Sequence, residues 1–214
     1  MCSINKINKM ELDLTTDKKI KINKKELILS EAAMLFKEKG FGGTSMRDLA
    51  EKVGMEAASM YNHIKSKDEI LEVICFKIAN QYISQLQEIE NTNQTFQEKL
   101  NAIIGLHVQL IIEDSASVSV ANNDWKYLSN DKKEQYKQTR KSYEKSFANI
   151  IEQGMQNGEF KKMNVSVALF TMLSSLRWIE LWYKPSREIT PQELEDDLKT
   201  LLMKGMLKED IIDK

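Results

Sequence analysis

One stretch limits this chain more than any other: Ser45 to Ile64, SMRDLAEKVGMEAASMYNHI. Met46, Leu49, Ala50 and Val53 fall at i, i+3, i+4 and i+7, the apolar stripe of a short helix. Gly54 follows at once and suits the position after a helix end, where φ is often positive and a Cβ would clash. A second short helix then carries Ala58, Met60, Tyr61 and Ile64. Ala50 is small where two steeply crossed helices joined by a short turn must approach closely. The layout is a helix-turn-helix.

The flanks narrow the reading. A longer helix precedes the pair, with Leu27, Ile28, Ala32, Leu35 and Phe36 on one side. It stops at Lys39-Gly40, a cation in the last turn followed by glycine, and Phe41 can fold back onto the stripe. Thr44 stands at the expected N-cap, ahead of Ser45. After the pair, Ser66-Lys67-Asp68-Glu69 reads as a capping box that starts the next long helix. The segments AAMLFKEKGF, TSMRDLAEKVGM and SMYNHIKSKDEIL, within roughly residues 24 to 75, resemble the DNA-binding domain of the TetR family of bacterial one-component regulators. One departure stands out: Glu56 opens the reading helix where that family usually has Ser or Thr, and Glu caps poorly and repels phosphate.

Only two prolines and eight glycines interrupt 214 residues rich in Ala, Leu, Glu, Lys, Gln and Met, and no alternating β-branched run appears. The expected fold is all-α, about nine helices. Its N-terminal three-helix DNA-binding domain is joined to a C-terminal helical domain for ligand binding and dimerisation. The expected divisions are a polar, lysine-rich arm over 1–21, the DNA-binding domain over 22–82 and the second domain over 83–210. Net charge is −1, but residues 1–70 carry 13 Lys and Arg against 11 Asp and Glu, the right sign for an N-terminal DNA reader. In the arm, Lys18, Lys19 and Lys21 fit either a minor-groove contact or a solvated tail, the plainer reading. Cys2 and Cys75 form no metal-binding pattern and fit free thiols in a reducing cytoplasm; no metal or cofactor is expected. The chain shows no signal-peptide core and no apolar run of spanning length, so no membrane partner is expected.

Beyond the reader, Ile70, Leu71, Ile74, Ile78, Tyr82 and Leu86 mark one face of a helix that breaks near Asn91-Thr92-Asn93. Phe96 to Ile111 predicts another, with a loop or kink over Ser115 to Ser119. Ser129-Asn130-Asp131 starts a helix carrying Tyr136, Tyr143, Phe147, Ile150 and Ile151, which stops among Gly154, Asn157 and Gly158. Asn164 caps a helix apolar on most sides, expected to be buried on more than one side and ended by Pro185. Thr190-Pro191-Gln192-Glu193 opens the last helix, with Leu194, Leu198, Leu201, Leu202 and Met206. Two apolar C-terminal helices fit either a monomer core or a two-fold four-helix bundle. The family resemblance implies the dimer, which would set two reading heads about 34–36 Å apart. The run Gly154–Phe160, with Arg177-Trp178 and Trp182-Tyr183-Lys184-Pro185, is similar to regulators of this family that answer to acyl-CoA thioesters.

For DNA contact the candidates are Thr44 and Tyr61 through their hydroxyls, with His63 and Lys67 approaching the same phosphates. Ser45 stands with Thr44 at the mouth of the first short helix. Ala57, Ala58, Ser59 and Asn62 lie on the exposed side of the reading helix. Arg47 reaches phosphate or guanine, or pairs with Glu51. For Tyr61 the expectation is a packed ring with the hydroxyl still reaching DNA. For an effector the candidates are His107, Trp125, Tyr127, Met155, Arg177, Trp178 and Trp182, each competing with plain core packing. Arg177 in an apolar helix needs a partner, either Glu180 one turn on or an anionic ligand. The leading function is a dimeric, ligand-responsive transcriptional regulator, a repressor that an effector frees from operator DNA. The rivals are a helical small-molecule carrier without DNA binding and a helical enzyme. For the enzyme the sequence offers no phosphate loop, no His-Glu-x-x-His and no nucleophile elbow.

Overall fold

Helix-favouring composition becomes helix almost everywhere. The computed structural model describes residues 23–184 and 189–208, and among these lie eight α-helices, one 3-10 turn and no strand. In order they are α1 (Lys24–Lys39), α2 (Met46–Val53), α3 (Ala57–Met60), α4 (Lys67–Glu90) and α5 (Phe96–Asn123). The turn Trp125–Tyr127 follows, then α6 (Asn130–Gln156), α7 (Val165–Trp182) and α8 (Pro191–Lys204). The lysines of the arm and Pro185 lie outside the described residues.

Caps set the boundaries. Gly54 closes α2 in the left-handed region at φ 67°, as its position required. Ser45 caps the start of α2 in a full capping box with Asp48, so Thr44 is not the cap. Thr95 and Thr190 open α5 and α8 the same way, each with a glutamate three residues on. At α4 the box is split. Ser66 accepts the Glu69 N–H, but the Glu69 carboxylate returns to the N–H of Lys65 rather than to Ser66. Ser129 flanks α6 without a side-chain cap bond.

The weak spot in α5 is one residue, not a loop. Asp114 leaves helical geometry at φ −149°, ψ 63°, and its carboxylate accepts the Ser117 N–H at 3.0 Å. It thereby caps a fresh segment that runs on to Asn123, straight through the Ser115–Ser119 stretch where a loop is the alternative expectation. Lys77 of α4 pairs with the same carboxylate at 3.5 Å. Gly154 lies inside α6 because the Phe160 ring sits 2.1 Å from where a Cβ would be.

Two apolar clusters result. One gathers Ile28, Phe36, Leu49, Ala50, Met60, Ile64, Ile70 and Ile74 and closes on Val120, Leu128 and Tyr136. The other fills the space between α4, α5, α6, α7 and α8, with α5 touching each of the other four. Each fully buried Leu or Ile contributes about 1.5–3 kcal/mol. α7 departs from expectation. Its Leu169, Met172, Leu176 and Ile179 are buried, while Val167, Phe170, Trp178, Leu181 and Trp182 stand exposed in the single chain.

Candidate DNA interface and effector cavity

Met60 and Ile64 are buried and pin α3 against α2, and this turns the intervening residues outward. Ala57, Ala58, Ser59, Tyr61 and Asn62 are exposed, and His63 is half-buried. The Tyr61 ring is 53% exposed, so it projects rather than packs. Glu56 makes no side-chain cap bond to α3, as its chemistry foretold. Ser45 and Arg47 stand exposed at the start of α2. The ion pairs of this region join Lys25 to Glu69 and Lys52 to Glu31, and the expected alternative Arg47–Glu51 pair is not formed.

Two candidates are corrected. Thr44 is 2% exposed, and its hydroxyl donates to the Gly40 carbonyl at 3.0 Å and toward that of Leu35. A buried hydroxyl committed to two carbonyls is not a phosphate donor. The Lys67 ammonium donates to the carbonyls of Phe41 and Thr44, both at 2.7 Å, and lies 4.2 Å from the centre of the Phe41 ring. It braces the loop that leads into α2.

A cavity of about 270 Å³ opens between α4, α5, α6 and α7. Its walls are Ile78, Tyr82, Ile111, Val118, Tyr136, Phe170 and Leu173, with polar groups from His107, Asn122, Thr139, Arg140, Tyr143, Glu144, Ser174 and Arg177. His107 Nε2 and the Tyr143 hydroxyl are 2.8 Å apart, and the Tyr82 ring lies 4.5 Å from the imidazole. Burial drives the His107 pKa down to about 3, so the imidazole is neutral, and burial raises both tyrosines above their ordinary range. The Arg177 guanidinium donates to the carbonyl of Asn122. Its expected partner Glu180 instead accepts from the Asn123 amide at 3.0 Å. Burial first, and Arg140 second, hold the Arg177 pKa below its usual value.

Of the seven effector candidates, only His107 and Arg177 line this cavity. Trp125 sits behind its wall, its ring 5.9 Å from that of Tyr136 and 5.6 Å from the Arg140 guanidinium carbon. Tyr127 stacks on Phe41 at 5.5 Å, and Met155 packs against the body's core. Trp178 and Trp182 face outward on α7. Tyr82, Tyr136, Thr139, Arg140, Tyr143 and Glu144 also line the cavity and stood outside the sequence candidates. The signal was present in α6, where Tyr136, Arg140 and Tyr143 recur at i, i+4 and i+7 with a cation inside an otherwise apolar stripe.

The head and the cavity meet at the 3-10 turn. Burial raises the pKa of the Asp124 carboxylate, against a smaller opposing effect of the Phe41 backbone. Tyr127 stacks on the Phe41 ring, and Trp125 packs against the cavity residue Tyr136.

A helix-turn-helix head with an exposed polar face, fused to a helical body around a partly polar cavity, defines a ligand-responsive DNA-binding regulator. Residues 28–74 match the bacterial regulatory proteins of the tetR family, and residues 93–206 match the Tetracyclin repressor-like C-terminal domain. The second match spans more than half of the chain, and the chain belongs to the TetR family. Among its relatives is the HTH-type transcriptional repressor KstR2 of Mycolicibacterium smegmatis, 23% identical over 86% of this chain and 91% of that protein. The structure of the ketosteroid transcriptional regulator KstR2 of Mycobacterium tuberculosis superposes with a TM-score of 0.84 at 21% identity, covering 88% of this chain and 97% of that one. AibR, in complex with isovaleryl coenzyme A and operator DNA, superposes with a TM-score of 0.74 at 24% identity, covering 84% of this chain and 97% of that one.

Proposed function

We propose that this chain is a homodimeric repressor, held on operator DNA by two heads and released when a small molecule fills the cavity. The observation that carries the reading is the shared wall between cavity and head. Tyr136 and Arg140 line the cavity and contact Trp125, while Tyr127 of the same turn stacks on Phe41 in the loop that opens α2. A ligand that favours one arrangement of that wall shifts the population of DNA-competent head positions by its differential affinity. α4 carries the shift further, because it starts in the head at Lys67 and lines the cavity at Ile78, Ala79 and Tyr82.

On this reading residues 22–82 form the reading head and 83–210 the effector and dimerisation body. The head's core nevertheless closes on Val120, Leu128 and Tyr136 of the body. Ser45, Arg47, Ala57, Ala58, Ser59, Tyr61, Asn62 and His63 meet the duplex. Dimerisation is supported by the exposed apolar face of α7 and by Leu201 of α8, which is 72% exposed. The protein works in the cytoplasm, with the DNA. The effector is a lipophilic metabolite or its acyl-CoA thioester, an expectation that the AibR complex with isovaleryl coenzyme A supports. At about 270 Å³ the cavity is at the small end of ligand pockets and holds the acyl part, not a whole coenzyme.

The test is a titration of fluorescent fragments from the chain's own upstream region with purified protein, with and without candidate acyl-CoA thioesters. Sequence-selective binding that a thioester weakens at least tenfold is expected. Binding to no duplex, with ligand still taken up, would instead identify a carrier.

A further inference from the structure

Arg177 and Glu180, opposite charges one turn apart on α7, each bond the last turn of α5. The Arg177 guanidinium donates to the Asn122 carbonyl, and one Glu180 oxygen accepts from the Asn123 amide at 3.0 Å. The same amide lies 3.4 Å from the Ser119 hydroxyl. Glu180 is 5% exposed, and its second oxygen is buried without a hydrogen bond. A carboxylate held this way costs stability that an apolar side chain of similar volume would not. The clamped residues lead at once into the 3-10 turn. The Asp124 N–H donates to the Val120 carbonyl at 2.8 Å, and the Tyr127 N–H to the Asp124 carbonyl at 2.9 Å, so no slack separates Asn123 from Tyr127. Tyr127 stacks on Phe41, whose ring also carries the Lys67 ammonium at 4.2 Å. The outer side of the same stretch of α7 presents Trp178 and Leu181, 63% and 55% exposed. One helix therefore carries, over residues 177–181, an apolar outer face and a polar grip on the segment that holds the head. Apolar contact is non-directional and allows small slides, whereas hydrogen bonds fix length and angle.

We infer that Arg177 and Glu180 are positioning residues that set the separation of the two reading heads, by locking the end of α5 to the helix that makes the dimer contact. Resting on the dimeric repressor read above, the clamp gives that dimer a defined spacing of operator half-sites. Glu180 lies outside the cavity wall, so its replacement tests the clamp without removing a cavity residue.

Anisotropy titrations of the full chain on its operator, and on the same duplex with one base pair added between the half-sites, test it. The addition moves the half-sites about 3.4 Å further apart and turns one by about 35° around the axis. Wild type is expected to lose about tenfold or more in affinity on the lengthened duplex. Glu180→Leu, folded by thermal melting and dimeric by light scattering, is expected to lose less than about threefold. Glu180→Gln keeps the acceptor for Asn123 and drops the charge, so it falls between and serves if the leucine variant does not fold. A residue that only stabilised the fold would change the melting midpoint and leave the spacing preference as it was. A wild type indifferent to the added base pair, or folded dimeric variants as selective as wild type, would overturn the inference. Binding to neither duplex would remove the repressor reading and the clamp's role with it. Operator binding with an unchanged spacing preference removes the clamp alone.

Discussion

Thr44 and Tyr61 show how two hydroxyls seventeen residues apart in one motif part company. The Thr44 hydroxyl is sealed beneath the loop after α1, where it serves two carbonyls. Thr44→Val keeps the shape and orphans them, so it should cost about 1–3 kcal/mol of stability in a denaturant titration, without a separate defect on DNA. Tyr61 is the reverse case. Tyr61→Ala removes a projecting ring, so the melting midpoint should hold while operator affinity falls at least tenfold. Wild-type affinity in that variant would remove Tyr61 from the interface. His107 gives a third test. Its folded pKa of about 3 lies below the unfolded value near 6.5, so the unfolded chain binds the extra proton. The stability this group contributes is present above pH 6.5 and is lost as pH falls, by up to about 1.4 kcal/mol per pH unit. Stability measured from pH 7 to 4 should decline more gently in His107→Phe. The exposed cap carboxylates Asp48, Glu98 and Glu193, depressed by their cap bonds, act in the same direction nearer their own values.

At the scale of elements, most of the helix boundaries were legible because caps are local chemistry. Asn164 and Thr190, both expected caps, each accept the backbone N–H three residues on, while Ser45 caps α2 in place of the expected Thr44 and Thr95 caps α5 without having been marked by the sequence reading. The break in α5 was harder to read. Ser115 to Ser119 looks weak as sequence, yet the geometry breaks at Asp114, whose carboxylate starts a new helix at once. Five of the seven effector candidates lie off the cavity for a related reason. Aromatic content marked Trp125, Tyr127, Trp178 and Trp182, but only packing decides which side of a helix meets a cavity. The α6 stripe of Tyr136, Arg140 and Tyr143 was visible, and its cation was the overlooked clue. Gly154 tests the packing directly. Gly154→Ala drives a methyl into the Phe160 ring and should cost about 1–3 kcal/mol by thermal melting, despite alanine's better helix propensity. The 3-10 turn tests the coupling. Tyr127→Ala removes the stack on Phe41 but no part of the cavity wall. Effector affinity should stay within about twofold while effector-driven release from operator weakens severalfold. Unchanged release would return the coupling to α4 alone.

For the whole molecule, the apolar surplus of α7 was plain in the sequence, but where it went was not. Part of it closes the body, and another part, Val167, Trp178 and Leu181, faces away from the chain that carries it. An exposed apolar face of this kind marks an association surface. If the proposed dimer forms through this face, Leu181→Glu should leave a monomer by light scattering and weaken operator binding by two orders of magnitude or more, since each head then binds alone. The account stands on a paired head that grips a specific duplex largely through phosphates. The most direct measurement is operator affinity by anisotropy at about 50 and 200 mM salt, against an unrelated duplex of equal length. We predict a steep loss of affinity with salt, tenfold or more, and a preference for the operator that persists at both concentrations. A weak grip, indifferent to both salt and sequence, would contradict it.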